Sequence, residues 1–137
     1  MAWQFRTFVS PTGRNDVQQA VDEARPEVLE QFQVRVRHLA NTQKIDWHEP
    51  EAKKLKGVAD IYEIRFKAER RQHRPLGFFG PQAGQFTILV WAEKKQDVYK
   101  PADAINTASK RRNLVLGGSA QTAPLLIDGE NFPPAGE

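Results

Sequence analysis

A chain of 137 residues, 39% of them hydrophobic, has the length of one domain and can bury a core without a metal or disulfide staple. It has no cysteine, which excludes disulfide frameworks, thiolate zinc sites and cysteine nucleophiles and permits a reducing compartment. The formal net charge of +3 is unevenly spread. Residues 1–52 have 6 basic and 8 acidic side chains, residues 53–112 have 14 and 6, and residues 113–137 have none and 3. A positive field in the second half suits a polyanion such as nucleic acid, or an acidic protein partner.

The start, MAWQFRTFVS, has neither a basic leader region nor an apolar one, and no run is long enough to span a bilayer. The expectation is a soluble, cytoplasmic protein with no membrane contact. Trp3 to Val9 alternates as a strand with one buried face would, and Ser10-Pro11-Thr12-Gly13 breaks it. Asn15 and Gln18 have the spacing of a capping box, and Val17, Ala20, Val21 and Ala24 follow on one helical face. Pro26 opens a second helix with Leu29, Phe32, Val36, Leu39 and Ala40 inward, predicted to run to about Thr42. Residues 43–59 hold no sustained period and read as a loop.

Asp60 to Ala68 then alternates as a second strand, with Tyr62, Ile64 and Phe66 on one face and Ile61, Glu63, Arg65 and Lys67 on the other. Pro75 to Phe79 is a third strand, GPQAG a hairpin turn, and Phe86 to Trp91 the most buried strand. Pro101 starts a last helix that Gly117-Gly118 stops. The predicted fold is α+β, with an N-terminal strand, two helices, an antiparallel three-strand segment and a C-terminal helix, the helices packed on one face of a small sheet. Residues 1–116 form one domain, and residues 117–137 read as a flexible tail whose patch Leu125-Leu126-Ile127 has some capacity to dock.

GxxxxGK[ST], HExxH and GxSxG are all absent, and Asp46, His48 and Glu49 are too few and too poorly spaced for a metal shell. No cofactor or metal is expected. What remains is a set of cations and a phenol. Arg65 and Lys67 share a strand face, a tight reversal through residues 69–73 brings Arg74 beside it, and Lys94, Lys95 and Tyr99 follow the central strand. Arginine forks and lysine charges suit a phosphodiester, and a tyrosine can stack on a base, or transfer a proton if nearby cations lower its pKa. The alternative is that Glu63, Arg65 and Lys67 form cross-strand ion pairs on a solvated face.

Four stretches in order, LKGVADIYEIRF, HRPLGFF, FTILVWAEKKQDVY and PADAINTA, resemble the RelE/ParE toxin superfamily, in particular its HigB-like, phage-derived branch. The resemblance covers residues 3–112 in element order and 55–112 in motif. It implies a RelE-like fold and the toxin of a type II toxin–antitoxin system. Such a toxin is an mRNA interferase, an endoribonuclease that cleaves mRNA, generally on the ribosome, by attack of the ribose 2′-hydroxyl on the adjacent phosphate without a metal. A cognate antitoxin would cover the basic face. By position, Arg65 and Arg74 would hold the scissile phosphate, Lys94 or Lys95 would assist electrostatically, and Tyr99 would stack or aid proton transfer. Lys53, Lys54, Lys56, Lys67, Arg70 and Arg71 would bind the RNA backbone, as would His73, which could also transfer a proton. The resemblance leaves two alternatives, a ParE-like toxin that binds a protein such as DNA gyrase and a catalytically idle phage or prophage binding protein.

Overall fold

The computed structural model describes residues 2–135. β1 (Gln4–Val9) is followed by α1 (Asp16–Asp22) and α2 (Pro26–Ala40), then a single 3-10 turn at Lys44–Asp46. Asn15 caps α1 as its spacing suggests, its side-chain oxygen accepting from the N–H of Gln18, and Pro26 opens α2. Next come β2 (Ala52–Lys54), β3 (Tyr62–Ile64), β4 (Phe66–Ala68), β5 (Arg71–His73), β6 (Leu76–Phe79), β7 (Gln85–Val90), β8 (Glu93–Lys95) and β9 (Val98–Lys100). The chain continues through α3 (Ala104–Leu116), β10 (Gln121–Pro124), β11 (Leu126–Ile127) and β12 (Glu130–Asn131).

The strands form three sheets. The largest has the order β10-β1-β7-β6-β3-β2, β4-β5-β8-β9 make a second, and β11-β12 are a separate hairpin. Within the first sheet β1 runs parallel to β7, and its other pairings are antiparallel. Apolar clusters cover both faces of this sheet. Val17, Val21, Phe32, Val36 and Leu39 of α1 and α2 meet Phe5, Phe86 and Ile88 in one cluster. Ala104, Ala108 and Val115 of α3 meet Phe8, Leu76, Phe78 and Leu89 in the other.

This arrangement overturns the predicted RelE-like layout of one strand, two helices, three strands and a closing helix, because the described residues form twelve strands in three sheets with three helices. Nor do the helices share one face. The run 60–68, predicted as one strand, is two strands in different sheets. Its alternation is unbroken, but Arg65 donates its N–H to the carbonyl of Glu51, and the chain changes partners there, β3 pairing with β2 and β6 and β4 with β5. Both faces of β3 are covered, so Ile61, Tyr62, Glu63 and Ile64 are all buried.

The segment after Gly117, read as a flexible tail, is built into the fold. β10 pairs with β1 from Arg6↔Pro124 to Val9↔Gln121, and the Leu125 N–H donates to the carbonyl of Phe5. Leu125 is fully buried and Phe132 nearly so, both in the cluster beneath α1 and α2. Sequence composition there is turn-rich and hides strands of only two to four residues. Leu125→Ala is expected to cost about 2–5 kcal/mol in urea unfolding, whereas Val98→Ala, at an exposed position, should stay within about 0.5 kcal/mol of wild type. Equal, near-zero effects would return the segment to the status of a loose tail.

Candidate nucleic-acid interface

The sheet β4-β5-β8-β9 is two hairpins side by side, each closed by a two-residue turn. The turn residues are Glu69-Arg70, at φ 50° and 64°, and Gln96-Asp97, at φ 51° and 64°. Positive φ at both central positions is the hairpin turn for which Asn-Gly is the favoured pair, and a side chain with a Cβ costs roughly 1 kcal/mol there. Here charged and polar residues take those positions. Because neighbouring strands are antiparallel, both turns project from the same end of the sheet.

The register aligns Lys67, Gln72, Lys94 and Tyr99 in one row across the four strands, so their side chains share a face. The Lys94 ammonium lies 4.9 Å from the centroid of the Tyr99 ring, a cation–π contact. Phe66, His73, Glu93 and Lys100 form the adjacent row and belong to the opposite face. Lys95 alternates with Lys94 along β8, yet both border the same cleft at the turn end of the sheet.

Glu63 sits at the junction of the two sheets, 1% exposed. The Tyr99 hydroxyl donates to its carboxylate, the Arg65 Nε stands 3.4 Å away and the Arg74 Nε 3.6 Å. Arg74 is itself buried, and its guanidinium donates to the His73 carbonyl at 2.9 Å and to the Gln72 side-chain oxygen. Burial draws the Arg74 pKa below its ordinary value, with Glu63 opposing. Burial, and then the hydrogen bond to Glu63, push the Tyr99 phenol well above its ordinary range. Arg74 and Arg65 pull the other way but weigh less, so the sequence-based expectation that cations activate Tyr99 is reversed. Tyr99 is a neutral phenol near pH 7, fit for stacking and hydrogen-bond donation.

Arg65, Arg70, Arg71, Arg74, Lys94 and Lys95, all candidates from sequence, line one cleft of about 650 Å³. Lys100 adds a cation to the lining, against the carboxylates of Glu69, Glu93 and Asp97. Lys67 lies on a neighbouring cavity of about 440 Å³, which it shares with Arg35, Glu49, Arg65 and Arg74. Lys53, Lys54 and Lys56 are exposed on and after the edge strand β2 and line neither cavity. His73 is not brought to the cation face. It is 4% exposed and stacks on Phe66 at 4.9 Å and 13°, and neither ring nitrogen has a hydrogen-bond partner. Burial draws its pKa below the ordinary value. Among the described residues no group of three or more His, Asp or Glu side chains is placed to hold a metal ion.

Sequence reasoning did not single out Gln72, Glu93, Lys100 or Arg35 for this region. Gln72 and Lys100 become visible only through the hairpin register, and Arg35 only through the packing of α2 beside β4.

The unfolded chain takes up a proton on His73 more readily than the folded one, so this contribution to stability is full above about pH 6.5 and is lost as pH falls below it. His73→Phe, which keeps a ring on Phe66, should therefore lose less stability than wild type between pH 7.5 and 5.5 in denaturant titrations, and parallel losses would remove His73 as the cause. Arg70→Gly should raise stability by about 1 kcal/mol by relieving the positive φ, seen as a higher urea midpoint, and a lower midpoint would mean that the Arg70 side chain stabilises the turn.

No family model, curated protein or solved structure matches this chain.

Proposed function

We propose that the protein is the toxin of a type II toxin–antitoxin pair, acting in the cytoplasm as a metal-independent endoribonuclease on mRNA. The observation that carries this reading is the convergence of Arg65, Arg70, Arg71, Lys94 and Lys95 on one cleft, beside a half-buried tyrosine ring. Cations spaced along a cleft hold a phosphodiester backbone, and an aromatic ring among them gives a base a stacking partner. The 2′-hydroxyl oxygen of RNA would attack the adjacent phosphorus as its proton passes to solvent, and the bond to the 5′-oxygen would break as that oxygen takes a proton from solvent, leaving a 2′,3′-cyclic phosphate and a 5′-hydroxyl end. Lys94 and Arg65 would offset the charge that builds on the phosphoryl oxygens. Arg74 acts as a positioning residue, since its two Nη groups donate to His73 and Gln72 and its buried Nε stands 3.6 Å from Glu63. The acidic partner suited to the same cations is the antitoxin, which would compete with RNA for them.

A second reading, binding of RNA without cleavage, is favoured by one observation. Neither side chain expected to move a proton is placed to do so, Tyr99 being held protonated against Glu63 and His73 buried on the other face.

The test is induced expression of wild type and Lys94→Gln in growing cells with mapping of mRNA ends, joined to cleavage assays on purified protein in a chelator. Wild type should arrest growth and create new ends, and Lys94→Gln should cut about 10²-fold more slowly with its thermal stability unchanged. Arg74→Ala is unsuitable, because removing a partner of a buried charge costs about 3–5 kcal/mol and threatens the fold itself. RNA binding without new ends selects the second reading, and no RNA binding refutes both.

A further inference from the structure

The cavity of about 440 Å³ beside the main cleft is lined by four cations, Arg35, Arg65, Lys67 and Arg74, and by one carboxylate, Glu49. Two of its cations, Arg35 and Lys67, are poorly compensated from within. Arg35 reaches Glu51 only at 3.8 Å, and its buried Nε has no hydrogen-bond partner. Lys67 is exposed with no ion pair among the described residues, whereas Arg65 and Arg74 share the buried carboxylate of Glu63 at 3.4 and 3.6 Å. An under-neutralised guanidinium and an unpaired ammonium beside an open space are what an anion would complete.

Glu49 partly fills that place. It lies in the loop between the 3-10 turn and β2, its side chain 58% exposed, so it has no part in the core. One of its oxygens nevertheless accepts from Arg65 Nη1 and stands 3.7 Å from Lys53 Nζ. One anionic oxygen shared by two cations is the arrangement a phosphate oxygen adopts. The Arg65 hydrogen bond, followed by the charge of Lys53, lowers the Glu49 pKa, so the carboxylate is a permanent anion near neutral pH and leaves by competition rather than by protonation.

We infer that this cavity is a second phosphate subsite, occupied in the free protein by Glu49 as a stand-in that an incoming phosphate displaces. Arg65 lines both cavities and so joins the two subsites, which fits a ligand that offers consecutive phosphates. RNA as that ligand rests on the reading given above, whereas the anion chemistry of the cavity does not. Glu49 then acts as a built-in competitor that weakens the hold on any single phosphate.

Inorganic tripolyphosphate and a short single-stranded RNA separate these statements. Wild type, Glu49→Gln and Arg35→Gln/Glu49→Gln are compared by the rise in unfolding temperature with tripolyphosphate, and by RNA binding across salt concentrations. Unliganded unfolding temperatures confirm that each variant folds. Glu49→Gln should bind tripolyphosphate several-fold more tightly than wild type. For RNA its log–log salt dependence should steepen by about 0.7, the release expected for one further phosphate contact on a single strand. The double variant should lose the gain. Equal tripolyphosphate affinity in wild type and Glu49→Gln overturns the subsite, and so does a gain that survives loss of Arg35. A tripolyphosphate gain with no RNA binding by any variant supports the subsite and refutes the RNA reading instead.

Discussion

A buried carboxylate has to be compensated, and the compensation of Glu63 organises the whole functional half of the molecule. Glu63 belongs to β3 of the large sheet, whereas Tyr99 comes from β9 and Arg74 from the chain just beyond β5, both outside that sheet. Arg65 occupies the joint between β3 and β4. Three groups from three segments must therefore meet at one side chain, which sets how the small sheet stands against the large one. Replacing such a cluster by apolar residues can leave stability unchanged or raise it. What an apolar cluster would not reproduce is the convergence of cations above it.

Charge compensation also decides which cations remain for a ligand. Arg111 holds both oxygens of Asp16 at 2.8 Å and lies 4.8 Å from the centroid of the Phe8 ring, so it pins α3 to the start of α1. Arg112 reaches Asp60 at 3.1 Å, and Arg25 binds Glu69 at 2.8 Å. Arg74 is spent in the same manner. The planar guanidinium fork is suited to such internal fixtures, while the ammonium groups of Lys67, Lys94 and Lys95 stay free of ion pairs among the described residues. A tally of basic residues along the chain therefore overstates the charge that a polyanion would meet.

The parts of the fold that the sequence made legible are those with local causes. β1 and β7 show in their apolar runs, α1 in the Asn15 cap, α2 in its proline and periodic apolar positions, and α3 in its apolar positions, although it begins at Ala104 rather than at Pro101 as predicted. The parts that stayed hidden depend on partners distant in the chain. Alternation from Asp60 to Ala68 reports extended backbone but not the exchange of partner sheets at Arg65. The turns at Glu69-Arg70 and Gln96-Asp97 lack the glycine and asparagine that usually announce a hairpin. At the site, the nearness of Arg65, Arg74, Lys94 and Tyr99 was legible from strand order. The burial that governs Tyr99 and Arg74 was not, because no spacing of residues reveals it.

The pairing of β1 with β10 joins residues far apart in the chain, the Arg6 side chain binding Thr122 at a separation of 116 positions. During translation, β1 emerges long before its neighbours. β7 covers one of its edges only after Val90 has been made, and the other edge stays open until Gln121–Pro124 follows. An open edge is a template for strand addition, whether by this chain, a second copy or a chaperone. The nascent chain thus spends most of its synthesis with an incomplete sheet, and its cation face stands on a finished scaffold only after the ribosome has passed the codons for β10.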